Sequence, residues 1–397
     1  VDRAGKPILA AFEHDREVWS GMFMLRGESL FDGERAVDTP TVTVDGTTIV
    51  AVGDERPPDG ADIIELPGAS LLPGLVDCHQ HLCFETLGDA AVTTEPAELT
   101  AQARRSAQRA LAAGITTVRD LGDRAYATLP LRGAPDLPTL LCAGPPITVP
   151  GGHCWYLGGE VDTSGGEAAL RAIVRERVAE GCDIIKIMVT GGFLTPTNPM
   201  WESQFSLDDL RIVVDEARRH NRPVAAHCHG IDGIEQAVRA GVNSIEHCSF
   251  VDENLDVRPT EEILRLVAES KIPASVTVGR LPSVPVPEFV AKNVEPGRAA
   301  RRRLHELGGV LVPGTDAGIG PGKPHDIMTY ALEEFVASGL APAQGLHAMT
   351  HAAAEASGLG ASKGRLAPGY DADILALAGD PISDVDAMHE PVAVWAR

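Results

Sequence analysis

The stretch that most constrains the fold is an apolar run, LLPGLVDCHQHL, which extends from Leu71 to Leu82 and ends with His79 and His81. Because side chains two residues apart on a β-strand point to the same side, both imidazoles should face one point. Two neutral imidazoles at one point form half of a metal site. The pattern alone is weak evidence for a metal site, and the rest of the chain determines how strongly it supports one.

After Leu71 the sequence alternates between strand-like and helix-like segments, which is typical of parallel strands joined by helical crossovers. Amphipathic stretches such as 207–220 and 261–270 carry apolar residues at helical spacing. Eight parallel strands with intervening helices close into a barrel whose reactive face lies at the C-terminal strand ends. The strands that we predict are Leu72–Leu82, Thr116–Gly122, Thr139–Thr148, Asp183–Thr190, Pro223–His229, Ser244–Phe250, Ile272–Val278 and Val310–Ala317.

The two ends of the chain predict a second, smaller domain. Short alternating segments between Met22 and Leu66 include TVTVDGTTIVAVG, whose Asp45-Gly46 pair favours a tight hairpin in a small antiparallel sheet. Strand-like segments return near the end as ADILALAGD and VAVWAR, and the simplest arrangement adds them to the N-terminal sheet. We therefore expect an α/β protein in which a (β/α)8 TIM barrel, residues 71–359, carries a small β-sandwich domain built from residues 1–70 and 360–397.

Charge and cysteine content disfavour several partners. The 34 Lys and Arg residues against 56 Asp and Glu residues give a net charge of −22, which disfavours binding to nucleic acid or to an anionic membrane surface. No apolar run reaches the length needed to cross a bilayer. Seven cysteines without paired zinc-ribbon spacing fit a reducing compartment, so we expect a cytoplasmic protein. Alternation along the strands predicts that Cys78, Cys228 and Cys248 face the surrounding helices.

Several polar residues fall at the C-terminal ends of the predicted strands, where a buried polar group needs a reason. Their spacings match whole strand-helix units, so all of these side chains can converge on one axis. They are His79, His81, Lys186, His227, His229, His247 and Asp316.

Lys186, in DIIKIMVTGG, lies inside an otherwise apolar strand, where an unpaired ammonium group costs several kcal/mol. One explanation is an ion pair with Asp316. The other is a reaction of the lysine with carbon dioxide, which gives a carbamate whose two oxygens can bridge two metal ions. Desolvation favours the neutral amine that this reaction needs.

Other residues near the strand ends are candidates for catalysis or substrate binding. Asp316, in VPGTDAG, is placed to hold a metal ion and to accept a proton from bound water, or else it is a capping residue. His153 follows two glycines that allow close approach to a ligand, and His229 shares a face with His227. Both histidines either contact the substrate and polarise its carbonyl or are satisfied polar residues.

Loops after the strands supply further candidates. Arg280, just past the predicted seventh strand, is either an anchor for a substrate carboxylate or a surface arginine. Trp155, Tyr156 and Trp201 either line an apolar pocket or pack between loops. The proline-rich stretch Leu281–Pro287 is expected to form a loop over the barrel mouth.

At this point the sequence resembles the amidohydrolase superfamily of metal-dependent hydrolases, from about Met22 to the end of the chain. The resemblance rests on the order and joint presence of LPGLVDCHQHL, GITTVRDLG, KIMVTGG, VAAHCHG, SIEHC, GTDAG and GRLAPGYDADILAL. Within the superfamily the sequence is most similar to the imidazolonepropionase-like and prolidase-like branch. That branch includes Xaa-Pro dipeptidases, carboxypeptidases that release basic residues, and ochratoxin-type amidases.

The resemblance implies an enzyme with two divalent metal ions, usually zinc, with manganese or cobalt as alternatives. A hydroxide bridging the metals would attack an amide carbonyl of a small-molecule substrate, and Asp316 would move the proton to the leaving nitrogen. The substrate would be an N-acyl amino acid or a dipeptide-like compound. The alternatives are a cyclic amide, a lactone, a carbamate or an organophosphate ester, or a metal-binding homologue without catalysis, and relatives are often homo-oligomers. The implied ligands are His79, His81 and Asp316 for one metal, His227 and His247 for the other, and Lys186 as a bridging carbamate.

Overall fold

The computed structural model describes residues 21–85 and 95–396, so residues 1–20 and Arg397 of the expected small domain lie outside the described part. The described chain begins with short strands that lead into the LLPGLVDCHQHL run. These are β1 (Met22–Arg26), β2 (Ser29–Leu30), β3 (Thr41–Asp45), β4 (Thr48–Val52), β5 (Asp62–Glu65) and β6 (Ala69–Pro73).

From Leu75 onward the chain alternates between strands and helices, as predicted, and has an α/β fold. The elements are β7 (Leu75–Gln80), α1 (Pro96–Ala112), β8 (Ile115–Asp120), β9 (Thr139–Cys142), α2 (Gly166–Glu180), β10 (Ile185–Met188), α3 (Leu207–Arg219), β11 (Val224–Gly230), α4 (Ile231–Ala240), β12 (Ser244–Val251), α5 (Glu261–Ser270), β13 (Ala274–Thr277), α6 (Glu288–Ala291), α7 (Val294–Glu306), β14 (Leu311–Gly314), α8 (Ala331–Ala337), α9 (Pro342–Met349), α10 (His351–Ala356), β15 (Ile374–Ala378) and β16 (Pro391–Trp395).

The strands β7 to β14 form two parallel sheets, one in the order β7-β8-β9 and one in the order β10-β11-β12-β13-β14. Two isolated parallel bridges, Ile147 with Ile187 and Gln80 with Ala317, join the sheets at both ends. At the second junction the amide of His81 donates to the carbonyl of Ala317 at 2.8 Å. Backbone pairing therefore runs from β7 through β14 and returns to β7.

The predicted first strand, Leu72–Leu82, was wrong as a single element. The structure divides it into β6, which pairs with β15, and β7, which pairs with β8. Gly74 lies between the two strands, and a Cβ atom at this position would lie 2.2 Å from the Thr116 hydroxyl oxygen. The close approach of the neighbouring strand thus requires a glycine, and the chain passes there from one sheet to another.

The remaining strands form two four-stranded sheets, β4-β3-β1-β5 and β16-β15-β6-β2. The hairpin predicted at Asp45-Gly46 is confirmed, because β3 and β4 pair antiparallel on either side of it. The C-terminal strands were expected to extend the first of these sheets, but they pair with β6 in the second sheet. The first sheet is not entirely antiparallel either, because β5 runs parallel to β1. Apolar residues of both sheets, among them Phe23, Val44 and Ile374, share one buried cluster.

Alternation along the parallel strands decides which side chains face the helices. On β10, Ile185 and Ile187 belong to the main hydrophobic cluster, together with residues of α2 and α3 such as Leu170 and Leu210. Lys186 lies between the two isoleucines and turns to the opposite side, where it lines a cavity. None of the helices in the described ranges is long and apolar enough to cross a membrane.

Candidate active site

The C-terminal ends of the parallel strands surround a cavity of about 800 Å³. This cavity has two parts. The inner end consists of buried histidine, lysine and aspartate side chains at the strand ends, and the outer end consists of apolar and cationic side chains from the following loops and helices. The cavity residues that the sequence predicted are His79, His81, His153, Lys186, His227, His229, His247, Arg280 and Asp316.

The first group of potential metal ligands is His79, His81 and Asp316. The Nε2 atoms of the two histidines lie 3.3 Å apart, and Asp316 Oδ1 lies 3.5 Å from His79 Nε2 and 3.2 Å from His81 Nε2. Donors held about 2.1 Å from one ion in a tetrahedral arrangement lie about 3.4 Å apart. The three donor atoms therefore fit a single small divalent cation.

Backbone geometry brings these three residues together. The amide of Asp316 donates to the carbonyl of His79 at 2.7 Å. A Cβ atom at Gly314 would lie 2.8 Å from the Cβ atom of His79, so β14 approaches β7 only because residue 314 is glycine. Asp316 itself has a φ of 58°, a left-handed conformation that costs free energy in a non-glycine residue and occurs most often at functional sites.

Polar contacts on the far side of each imidazole orient the ring. His81 Nδ1 lies 2.9 Å from the carbonyl oxygen of Gly122, which can only accept, so Nδ1 carries the proton and Nε2 is free to bind a cation. His79 Nδ1 lies 3.2 Å from Glu246 Oε2. The other carboxylate oxygen of Glu246 accepts from Arg119 at 2.6 Å, and Arg119 and Glu246 are both fully buried. This Arg119–Glu246–His79 chain matches the carboxylate support usual for metal-binding histidines.

Lys186 is buried, and its Nζ atom has no hydrogen-bond partner among the described residues. The ion pair with Asp316 that the sequence left open is not formed, since no carboxylate of the described chain lies within 4.0 Å of Nζ. Burial lowers the pKa of Lys186 to about 8, although Glu246 and Asp316 raise it. A fraction of the amine is thus neutral near pH 7.

The second group of potential ligands consists of His227, His229 and His247, which offer donor atoms within 4.8 Å of one another. The sequence paired only His227 with His247, whereas the structure brings His229 equally close. His247 Nδ1 lies 2.7 Å from Thr277 Oγ1, and its Nε2 atom has no hydrogen-bond partner in the described chain. His229 Nδ1 lies 3.0 Å from Ser249 Oγ.

Electrostatics at the inner end favour neutral imidazoles at four histidines, whereas at His81 the hydrogen bond and charge of Asp316 outweigh burial and raise the pKa. Burial lowers the pKa of His79 to about 4 and that of His229 to about 4, and it lowers the pKa values of His227 and His247 well below the usual range. Burial also raises the pKa of Asp316, but His79 and His81 outweigh it and hold that pKa below its usual range. Neutral imidazoles beside a carboxylate are the protonation states that bind divalent metals.

Of the other candidate substrate-binding residues, some line the cavity and some do not. His153 lines it, with its ring centroid 4.7 Å from that of His227. Arg280 lines it as well. Tyr156 and Trp201 are not among the lining residues that the structure describes, and Tyr156 packs against the main hydrophobic cluster instead.

Cys248 belongs to the main hydrophobic cluster and also lines the cavity. His247 and Cys248 have φ values of 67° and 48°, so the alternation that the prediction assumed is interrupted there. Cys78 and Cys228 follow the prediction, since their sulfur atoms contact the carbonyls of Ala353 in α10 and Gly233 in α4.

Some residues that line the cavity or support its ligands were missed from the sequence. Glu246 is a charged residue inside an apolar strand, the same signal that identified Lys186. Lys323 lies seven residues after Asp316, at the end of the glycine-rich segment GIGPGK. This segment predicts a loop but does not predict a role for the lysine. Phe193 and Phe289, whose ring centroids lie 5.1 Å apart, come from separate loop and helix segments and carry no periodic signal.

Comparison with known proteins identifies the class. The model of the amidohydrolase family matches residues 70–395, so the chain belongs to this family, as predicted. It is a hydrolase that acts on carbon–nitrogen bonds, and the predicted branch is also confirmed.

Within the family, the chain is similar to several individual enzymes. The chain is 29% identical to the ochratoxinase of Aspergillus niger over 360 residues, which cover 82% of this chain and 73% of that protein. It is 24% identical to the imidazolonepropionase of Colwellia psychrerythraea over 79% of this chain and 77% of that protein. The crystal structure of a Xaa-Pro dipeptidase with bound methionine superposes with a TM-score of 0.80 at 26% identity, covering 94% of this chain and all of that one.

Proposed function

We propose that the protein is a binuclear metal-dependent hydrolase that cleaves the amide C–N bond of an N-acyl amino acid or a dipeptide-like substrate. The observation that carries the proposal is the buried Nζ atom of Lys186, which has no partner among the described residues and lies in the cavity that both groups of potential ligands line. The activities of an ochratoxinase and of a Xaa-Pro dipeptidase, both relatives of this chain, support the same class of substrate.

The donor atoms at the inner end fit two divalent cations, and imidazole and carboxylate donors suit zinc, with manganese or cobalt as alternatives. When bound, divalent cations would lower the pKa of a bound water towards about 7 and would polarise the scissile carbonyl. The ligands that we propose are His79, His81 and Asp316 for one ion, His227 and His247 for the other, and Lys186 for both.

Lys186 would serve as a ligand after its neutral amine has added to carbon dioxide. The nitrogen forms a bond to carbon and loses one proton, which leaves a carbamate anion with two oxygen donors. The lowered pKa of the amine supports this step, because the neutral form is the one that reacts. The carbamate would also place a negative charge where the described chain supplies none within 4.0 Å of Nζ.

Asp316 would carry the proton that hydrolysis must move. The oxygen of water forms a bond to the acyl carbon, the C–N bond breaks, and one proton of the water passes through the carboxylate to the leaving nitrogen. Asp316 is held in place by its amide hydrogen bond to His79, and it faces the cavity.

His229 and His153 would contact the substrate carbonyl or acyl group. Both line the cavity, and burial keeps both rings neutral by lowering the pKa of His153 to about 3 and that of His229 to about 4. A neutral imidazole can donate one hydrogen bond to a carbonyl oxygen without bringing a charge into the site. Arg280 would hold a carboxylate of the substrate.

The continuous pairing of β7 to β14 supports a closed (β/α)8 barrel. The apolar cluster shared by the two four-stranded sheets supports a β-sandwich beside it. The boundaries predicted from the sequence are residues 71–359 for the barrel and residues 1–70 with 360–397 for the second domain. Because β6 extends to Pro73, we propose that the barrel begins after Pro73.

A second candidate function is the opening of a cyclic amide, which the similarity to an imidazolonepropionase favours. The same inner end would serve, since ring opening also breaks a C–N bond by addition of water. The two functions differ in their products: cleavage of a linear amide releases the amine and the acid as two molecules, whereas ring opening leaves them in one molecule.

The test is metal analysis of the purified protein, run beside hydrolysis assays on N-acyl amino acids, dipeptides, cyclic amides, lactones and carbamates. We expect about two zinc-like ions per chain and release of a free amino acid. Ring opening without release of an amine would establish the second candidate. One ion or none, with no turnover, would contradict the binuclear proposal.

A further inference from the structure

We propose that Arg280 and Lys323 together bind a carboxylate on the leaving amine of the substrate, so that the product amine is an amino acid. This inference rests on the function proposed above. It assigns a role to Lys323, and it places the anion on one particular side of the scissile bond.

The two side chains are held together by contacts between the loops that follow β13 and β14. Lys323 Nζ donates to the carbonyls of Gly279 at 2.5 Å and Val278 at 3.4 Å. The amide of Leu281 donates to the carbonyl of Gly322 at 3.1 Å. Each loop thus fixes a residue of the other, and the Arg280 guanidinium packs against Gly322, the residue just before Lys323.

Arg280 and Lys323 lack an acidic partner, unlike the other cations of the outer end. Arg298 and Arg301 both pair with Glu334, at 2.7 and 3.4 Å. No carboxylate in the described chain lies within 4.0 Å of Arg280 or Lys323, and Arg280 Nη2 donates only to the backbone carbonyls of residues 284 and 285.

Two neighbouring cations in a partly buried cavity repel one another, and a bound anion relieves that repulsion. Burial lowers the pKa of Lys323 to about 8, Asp316 raises it, and Arg280 lowers it further. Backbone carbonyls leave at least one N–H of the ammonium group and several of the guanidinium free to donate. The pair therefore has both the charge and the donors to bind a carboxylate.

The position of Lys323 relative to Asp316 determines which half of the substrate carries this carboxylate. A short turn joins them, closed by a hydrogen bond of 2.9 Å from the Gly318 amide to the Lys323 carbonyl. Asp316 is the group that would protonate the leaving nitrogen, and its charge acts directly on Lys323. An anion at Lys323 thus lies beside the leaving amine and not beside the acyl group.

Three substrates test whether the bound carboxylate belongs to the amine, to the acyl group or to neither. All three carry an aromatic ring to suit the Phe193 and Phe289 side chains. N-benzoyl-L-phenylalanine carries the carboxylate on the amine, N-succinyl-2-phenylethylamine carries it on the acyl group, and N-benzoyl-2-phenylethylamine lacks it. We expect the wild-type enzyme to have its lowest KM for the first compound.

The variants are Lys323→Gln and Arg280→Gln. Glutamine at 323 keeps a donor for the Gly279 carbonyl but removes the charge, so a purely structural role would be retained. We expect KM for N-benzoyl-L-phenylalanine to rise about ten- to a hundredfold in each variant, with less than about a twofold change for the other two substrates. Arg303→Gln, which removes a surface cation paired with Glu261 outside the cavity, is the matched control and should change none of them.

Equal changes for all three substrates, or no change for the first, would overturn the proposal. A binding measurement keeps it separate from the proposed function. L-phenylalanine and 2-phenylethylamine are titrated into the metal-loaded protein, which requires no turnover. If the wild type hydrolyses none of the substrates, the proposed function fails, but the anion site still stands if both variants weaken only L-phenylalanine binding. Unchanged L-phenylalanine binding in both variants would refute the site.

Discussion

The inner and outer ends of the cavity are built by different means. The inner end is formed by side chains at the ends of parallel strands, such as His79 and His227, whose directions follow from strand pairing. The outer end is formed by loops and by α6 and α7, which bring Phe193, Arg280 and Phe289 together. This difference indicates that the two ends have separate roles. The rigid inner end suits chemistry common to a family, and the loops of the outer end suit the selection of substrates.

This comparison has a direct consequence for substitutions. A change at the inner end should reduce turnover of every substrate by a similar factor. A change at the outer end should alter the preference among substrates while the common chemistry continues.

The largest effect is expected for Lys186→Ala. Loss of the bridging ligand should leave at most one tightly bound metal ion and lower kcat/KM for all substrates about a thousandfold or more, because a metal ion supplies several kcal/mol of transition-state stabilisation. Metal analysis and initial rates measure both, and short carboxylic acids should restore part of the activity. Lys292→Ala, at an exposed ion pair with Asp256, is the control. Two tightly bound metal ions with normal turnover in the variant would show that Lys186 is not a bridge.

Asp316→Asn should lower kcat about a hundred- to a thousandfold for every substrate, because the amide cannot carry the proton to the leaving nitrogen. Steady-state rates on substrates with poor and good leaving amines measure this effect, and the loss should be smaller for the good leaving amine. Asp326→Asn removes a surface carboxylate paired with Arg109 and should leave the rates unchanged. An equal loss for both leaving groups would argue against proton transfer by Asp316.

Glu246→Gln should weaken metal binding at the first ligand group about ten- to a hundredfold, because the amide holds His79 less firmly and leaves the buried Arg119 charge unpaired. Competition with a chelator measures the affinity, and KM should change little. Glu261→Gln, at an exposed pair with Arg303, is the matched control. Unchanged metal affinity in Glu246→Gln would limit this buried chain to a role in stability.

The smallest effect concerns pH and tests the outer end. Lys323, with its pKa lowered to about 8, is protonated below that pH and neutral above it. Preference for the carboxylate-bearing substrate should therefore be full below pH 8 and be lost as pH rises. The charges that act on it are those of Asp316, Arg280, Asp77 and Glu334. We expect the ratio of kcat/KM for N-benzoyl-L-phenylalanine to that for N-benzoyl-2-phenylethylamine to fall about tenfold between pH 7 and 9.

Dividing by the neutral substrate removes any contribution of Lys186, whose pKa is also lowered to about 8, because both substrates need the inner end. The same ratio should be flat in Lys323→Gln. A slope that persists in this variant would assign the titration to another group.

The inner end was largely predictable from sequence because strand alternation is a local rule. Histidines at 79 and 81, and again at 227 and 229, must share a face on any regular strand. Lys186 stood out because an unpaired charge in an apolar strand is costly wherever it occurs. The rule assumes a regular strand, and positive φ values at His247 and Cys248 interrupt that geometry, so that Cys248 joins the hydrophobic cluster and also lines the cavity.

The outer end was not predictable in the same way. Arg280 and Lys323 lie more than forty residues apart, and their proximity depends on hydrogen bonds between two loops. For Tyr156 and Trp201 the sequence left open whether the side chains line the cavity or pack between loops, because a loop sequence does not determine the direction of its side chains.

The sequence by itself determined the alternation of strands and helices, the family, and the set of buried polar residues at the strand ends, because periodicity and the cost of burying charge act locally along the chain. Only the tertiary structure decided that the Leu72–Leu82 run divides at Gly74 between two sheets, that His229 approaches the second ligand group, and that Lys323 lies beside Arg280. Each of these depends on contacts between segments distant in sequence, which no local pattern encodes.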